Sequence, residues 1–111
     1  MTRILWYVRS DSLGQDAKIG GRLVQSFFNS LGERLLEPAD FAFINRGIFL
    51  TLDDSPVLDA LRDLESKGCR LFSCGTCLDY YESTDRLAVG TVGSMALLQE
   101  WMLGADRVMT L

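Results

Sequence analysis

Continuous apolar runs of strand length alternate with helix-period patterns along the whole chain, and this alternation restricts the fold more than any other feature. Ile4-Leu5-Trp6-Tyr7-Val8 is apolar throughout, as a strand covered on both faces must be. Phe41-Ala42-Phe43-Ile44 and Leu71-Phe72 repeat that character, Val108-Met109-Thr110-Leu111 predicts a last strand, and Leu87-Ala88-Val89-Gly90 a short one. Between them the period changes. From Asp16 onward Ile19, Leu23, Val24, Phe27, Phe28 and Leu31 recur at helical spacing, with Gly32 as the stop. Ser55-Pro56 predicts an N-cap followed by a first-turn proline, with Val57, Leu58, Leu61 and Leu64 as the buried stripe and Gly68 as its end. Ser94 caps a final helix bearing Met95, Leu98, Trp101 and Met102, with Gly104 behind it. Strand and helix in alternation mean an α/β layer fold with a mainly parallel sheet. No repeat, linker or low-complexity tract divides the 111 residues, so one domain over residues 1–111 is expected.

Composition removes several function classes. The chain is 48% hydrophobic and 23% charged, a globular balance. A net charge of −4 with no basic run argues against nucleic acid and anionic membranes as partners. No apolar stretch approaches the roughly 20 residues that span a bilayer. The sequence runs straight from Met1 into a strand pattern without a leader-like segment, so the cytoplasm is the expected compartment. The chain has no histidine, so one subunit can build neither a Cys–His dyad nor a Ser–His–Asp triad.

Chemistry therefore falls to sulfur. Cys74-Gly75-Thr76-Cys77 follows the apolar run ending at Ser73, where a buried strand should end and a helix begin. A helix start has unpaired N–H groups, and a thiol there ionises more readily. In open parallel sheets reactive groups collect at the carboxyl ends of strands. Three segments should meet there: Ser10–Gln15, Asn45-Arg46-Gly47 and Cys74–Cys77. Ser10–Asp16 matches no phosphate-loop pattern and is expected to be a turn with an N-cap. Arg46 is the cation expected near this edge, where it would favour a thiolate or an anionic donor. Asn45 either bonds locally or faces the thiols, and Gly47 permits a tight turn. Tyr80 and Tyr81 are expected to wall the site or an interface.

Four readings of the CxxC compete. A closed zinc site takes about four Cys or His ligands; one CxxC supplies two, and Cys69 is expected inside the sheet, so no metal and no cofactor is expected within one subunit. A thioredoxin-like dithiol places its CxxC early in the chain and opposes it with a cis-proline. Here the motif lies two-thirds along, and Pro56 belongs to a helix start. Sulfur carriage needs a nucleophilic cysteine, access and a few N–H donors, but no histidine. A purely structural pair is the fourth reading, less favoured because the strand-to-helix corner is where thiol acidity rises.

The segment Gly68-Cys69-Arg70-Leu71-Phe72-Ser73-Cys74-Gly75-Thr76-Cys77-Leu78-Asp79 resembles the CGTCLD region of DsrE/DsrF-like proteins, most closely the carboxy-terminal DsrE-like domain of the YedF family. Ser10–Gly14, Ile19-Gly20, Phe43–Gly47, Leu87–Gly90 and Ala105–Leu111 support the resemblance in order along the chain. It implies a three-layer α/β/α sandwich with a five-stranded, mainly parallel sheet. It also implies a persulfide-type sulfur relay, with a link to selenium metabolism, and trimers or hexamers. The reactive cysteine of relatives such as TusD corresponds to Cys74, while Cys77 has no counterpart there. YedF proteins usually carry a TusA-like domain ahead of this one, which this chain does not show.

The expectation is thus a sulfur or selenium relay, a sulfurtransferase carrying a persulfide on Cys74 with Cys77 as second thiol. Gly75 and Thr76 would supply N–H groups, and Asn45 and Arg46 would contact the substrate. Its partners would be donor and acceptor proteins, a cysteine desulfurase or a TusA-like protein among them, and further copies of itself. The competing expectation is a non-catalytic oligomeric module whose CxxC senses redox state.

Overall fold

The computed structural model describes residues 2–111. Five parallel strands form one sheet: β1 (Ile4–Val8), β2 (Asp40–Phe43), β3 (Arg70–Cys74), β4 (Thr91–Gly93) and β5 (Arg107–Thr110). Their order is β4-β3-β2-β1-β5, and every pairing is parallel, so the sheet is wholly rather than mainly parallel. Four α-helices complete the fold: α1 (Ala17–Leu31), α2 (Leu58–Ser66), α3 (Gly75–Tyr80) and α4 (Met95–Gly104).

Connection direction decides which face each helix covers. Strands β1 to β4 are laid down in one direction across the sheet, and the chain then jumps from β4 back to the far side of β1. Parallel crossovers are right-handed, so reversing direction moves the crossing helix to the opposite face. On one face Val24 and Phe28 of α1, Leu61 and Leu64 of α2 and Leu78 of α3 pack on Val8, Phe41, Phe43 and Leu71. On the other, α4 stands alone, with Leu98 and Trp101 over Leu5, Ala42 and Phe72. Side chains alternate along each strand to serve both faces: Ile4, Trp6 and Val8 face the first group, Leu5 and Tyr7 face α4. The three layers are present and unequal.

The caps follow the sequence in two helices and shift in a third. The Asp16 carboxylate accepts the Lys18 N–H at 3.0 Å, and the Ser94 hydroxyl accepts the Leu97 N–H at 3.1 Å. Ser55 accepts the Val57 N–H at 3.1 Å and so closes a turn one step earlier, and α2 itself begins at Leu58. Gly68 ends that helix region in the left-handed conformation, with φ of 96°.

Two expectations are corrected. Leu87–Gly90 is not a strand: Leu87 forms a single antiparallel bridge with Leu52, Gly90 turns at φ of 75°, and the true β4 is Thr91–Gly93. The buried stripe of α1 is also narrower than its periodicity suggests. Gly20, Val24, Phe28 and Leu31 are buried, whereas Ile19 and Leu23 are nearly half exposed. Gly20 joins the stripe because the loop after β1 lies against it; a Cβ there would meet the Leu13 carbonyl oxygen at 2.7 Å.

Candidate functional site

The sheet order creates a fork at β3 and β4. The connection leaving β3 goes to the α1/α2 face through α3, while that leaving β4 goes to the other face through α4. Adjacent strands whose exits diverge leave a crevice at their carboxyl ends, where open α/β sheets place ligands and chemistry. Cys74 is the last residue of β3 and sits beside Gly93, its register partner in β4. The fit is close: a Cβ on Gly75 would lie 3.1 Å from Val92 Cγ1 and 3.5 Å from the Gly93 carbonyl oxygen.

Cys74 caps α3 with its sulfur, accepting the Cys77 N–H at 3.4 Å. It is only 5% exposed. Cys77, one turn on, is half-buried against the larger core cluster. Its sulfur accepts the Asn45 N–H at 3.1 Å. Burial pushes the Cys77 thiol above its ordinary value, a hydrogen bond with the Cys74 side chain adds to this, and the Asn45 N–H works in the opposite direction. Both cysteines are free thiols, and so is the buried Cys69, whose sulfur accepts the Ala39 N–H at 3.4 Å. Cys69 belongs to the core, as its place in the apolar run suggests.

The three segments expected to converge do so. Asn45 stands immediately after β2 with φ of 50°, a left-handed conformation that asparagine tolerates better than most residues. That twist opens the 3₁₀ segment Asn45–Thr51, and the Asn45 N–H donates to the Cys77 sulfur. The first loop is joined through Arg46, whose Nε and Nη2 donate to the two Asp11 carboxylate oxygens, each at 3.3 Å. The same guanidinium lies 4.8 Å from the Phe49 ring centre. Phe49 in turn packs on Tyr81, and Tyr81 on the exposed Tyr80, so an aromatic row leads away from Arg46. Arg46 thus spends its donors on Asp11 rather than on a thiol. Gly47 has no room for a side chain, because a Cβ would come within 2.2 Å of the Val8 carbonyl oxygen.

Sequence reasoning missed one supporting pair. The Thr51 hydroxyl donates to the Ile48 carbonyl at 2.6 Å, which leaves Ser73 to donate to Thr51 at 2.7 Å. Both residues are about 1% exposed, and they tie the 3₁₀ segment to β3 one residue before Cys74. Polar residues inside an apolar strand run were the available signal. A cleft of about 440 Å³ opens beside Arg46 and Phe49, but neither cysteine lines it. Among the described residues no three potential ligands gather in the way a metal ion requires.

A wholly parallel α/β sandwich with a CxxC at the fork of two strand ends defines a thiol-bearing protein of the open-sheet class. The chain belongs to the DsrE/DsrF-like family, whose model matches residues 15–111 and which is associated in general with sulfur relay. Solved structures share the fold over essentially its whole length. The YchN protein of Escherichia coli is 19% identical, with a TM-score of 0.72 and all of both chains covered. MTH1491 of Methanobacterium thermoautotrophicum, described as a protein of unknown function, is 16% identical with a TM-score of 0.73, again over all of both chains. BT1422 of Bacteroides thetaiotaomicron is 12% identical with a TM-score of 0.67, over 97% of this chain and 94% of that one. No curated protein matches the chain in sequence.

Proposed function

We propose that residues 1–111 act as one DsrE-like unit that accepts and passes on sulfur, or selenium, through Cys74, with Cys77 as the second thiol. The observation that carries this reading is the juxtaposition at the β3/β4 fork. Two thiols on one turn are each hydrogen-bonded by a backbone N–H, at 3.4 and 3.1 Å, in a chain without histidine. Backbone donors stabilise a thiolate or persulfide without an acid–base side chain. The Gly75 and Thr76 N–H groups, which open α3 and have no partner within the helix, would extend that donor set to a bound sulfur. Asn45 contributes through its backbone, and Arg46 acts at one remove, shaping the loop that carries Asn45. The donor and acceptor are proteins of sulfur metabolism, a persulfide-bearing cysteine desulfurase and a TusA-like carrier by chemistry. The reducing cytoplasm is the compartment that keeps such a pair as thiols.

The protein also works as a homo-oligomer, trimer or hexamer, in this proposal. Support comes from α4, which is apolar almost all round and is the lone cover of its face of the sheet.

A second reading has one observation in its favour. Cys74 is 5% exposed, which suits a redox-sensing or purely structural pair in a non-catalytic module. The deciding experiment offers the reduced protein a persulfide-loaded cysteine desulfurase freed of excess cysteine. The donor loses its sulfane sulfur to the wild-type chain and keeps it in the presence of Cys74→Ala. A donor that stays fully loaded, with both thiols open to alkylation, sends the function to the second reading.

A further inference from the structure

A relay through Cys74 alone leaves Cys77 idle, yet Cys77 is the thiol the fold constrains from two directions. Its own main chain donates to the Cys74 sulfur at 3.4 Å. Its sulfur receives the N–H of Asn45 at 3.1 Å, from a different element held in a left-handed backbone conformation. Left-handed non-glycine residues are uncommon and are held there by their surroundings. Here the Asn45 N–H is turned onto the sulfur of Cys77. Cys74 is the N-cap of α3 and Cys77 lies in its first turn, and the Cys77 N–H reaches the Cys74 sulfur at 3.4 Å, so the two cysteines are neighbours. A disulfide between them brings the two sulfurs to a bonding distance of about 2.0 Å. Cys74 is 5% exposed, and its sulfur lies within 3.4 Å of the Cys77 main-chain nitrogen. The nucleophile beside it is Cys77.

Resting on the relay reading of Cys74, we propose that Cys77 is a resolving thiol and that, when no acceptor protein takes the sulfur, the site discharges it as inorganic sulfide. Cys74 thiolate first takes a sulfane sulfur from a persulfide donor, giving Cys74–S–S⁻ and returning the donor as a thiol. The Cys77 sulfur then attacks Cys74 Sγ. The bond between Cys74 Sγ and the outer sulfur breaks, and its electron pair leaves on the outer sulfur. The Cys77 proton goes to that leaving group, so the products are HS⁻ and a Cys74–Cys77 disulfide. The two thiols are oxidised by two electrons and the sulfane sulfur is reduced by two, so this step needs no further oxidant. An external dithiol resets the pair. The Asn45 N–H stabilises the negative charge that develops on Cys77 as its proton leaves.

The test uses glutathione persulfide, a small donor that needs no docking surface, on the reduced full chain. Excess donor is removed, sulfide is measured, and each cysteine is assigned by mass spectrometry. Wild type is expected to release one sulfide per chain and to lose two hydrogens by forming Cys74–Cys77. Cys77→Ser is expected to hold one added sulfur on Cys74 and to release none. A wild-type chain that holds a stable extra sulfur on Cys74 without releasing sulfide overturns the resolving role and leaves the relay reading standing. A Cys77→Ser chain that takes up no sulfur at Cys74 overturns the relay reading and this inference with it. The wild-type measurement alone decides the resolving step if the variant folds poorly.

Discussion

Cys69 and Cys77 are thiols that the fold prefers protonated, and their pH behaviour is a property of single residues. Burial is the leading cause in both, and it outweighs the N–H that each sulfur accepts. A group whose folded pKa lies above its unfolded one adds stability that is complete below the unfolded value and is lost as pH rises through the folded value. The ordinary thiol value is 9.0, so the loss begins as pH rises past it. Urea midpoints should therefore hold near neutral pH and fall as pH rises past that value, and Cys69→Ala should flatten that fall while lowering stability at neutral pH. A midpoint that drops equally steeply in the variant removes Cys69 from the account. Gly47 is the other position where one atom decides. Gly47→Ala forces a Cβ onto the Val8 carbonyl, and overpacking against backbone of this kind costs about 1–3 kcal/mol or more. It should also weaken the Asn45 contact with Cys77, read as faster alkylation of Cys77 in the folded protein.

At the scale of elements, the 3₁₀ segment Asn45–Thr51 does most to assemble the site, because it reaches from the end of β2 to β3 and α3. Its anchor is the buried Ser73–Thr51–Ile48 chain of hydrogen bonds. Thr51→Val removes one hydroxyl and strands that of Ser73, a loss of roughly 1–3 kcal/mol. Ser73→Ala strands less, since Thr51 keeps its bond to the Ile48 carbonyl. The double variant should be less destabilised than the sum of the singles, by about 0.5 kcal/mol or more; strict additivity would show that the pair is not coupled. This segment was barely legible in the sequence. Asn45-Arg46-Gly47 announces a turn, but nothing in Ile48–Thr51 distinguishes a 3₁₀ helix from the end of a strand. Leu87–Gly90 misleads for a related reason. Its apolar content serves packing, with Val89 buried and Leu87 bridging Leu52, while the ladder falls to Thr91–Gly93. There Gly93 is required because a Cβ would strike the Phe72 ring. By contrast the long period of α1, the Ser94 cap and the apolar runs of β1, β2 and β3 state their local structure directly. Arg46 was legible as a residue of the site edge, but its pairing with Asp11 depends on loop geometry that spacing does not encode.

For the whole molecule, the same topology that makes the fork also leaves one face thinly covered. A single reversal of strand order sends only α4 to that side. Tyr7, Ile44, Leu97 and Met102 remain half-buried there, Val108 is 39% exposed beside Leu5, and Met95 and Leu103 are 55% and 89% exposed. A helix whose polar positions are confined to Gln99 and Glu100 is the kind that ends inside an assembly. Fully burying a side chain of this size contributes about 1.5–3 kcal/mol, so a charge at either exposed position should weaken association roughly ten- to a hundredfold or more. Because Leu103 barely touches its own protomer, Leu103→Lys tests assembly without disturbing the fold. Sedimentation of the wild type at micromolar concentration should show a closed oligomer, and Met95→Lys with Leu103→Lys should sediment as a monomer with an unchanged melting profile in its protomer core. A monomeric wild type would sink the oligomer, and α4 would then be a face awaiting a different protein. The fork bearing Cys74 opens where α4 begins, at Ser94, so an assembly across α4 would border the route to the thiols. The monomerised variant should then alkylate at Cys77 faster than wild type, and an unchanged rate would mean that the α4 face lies off that route.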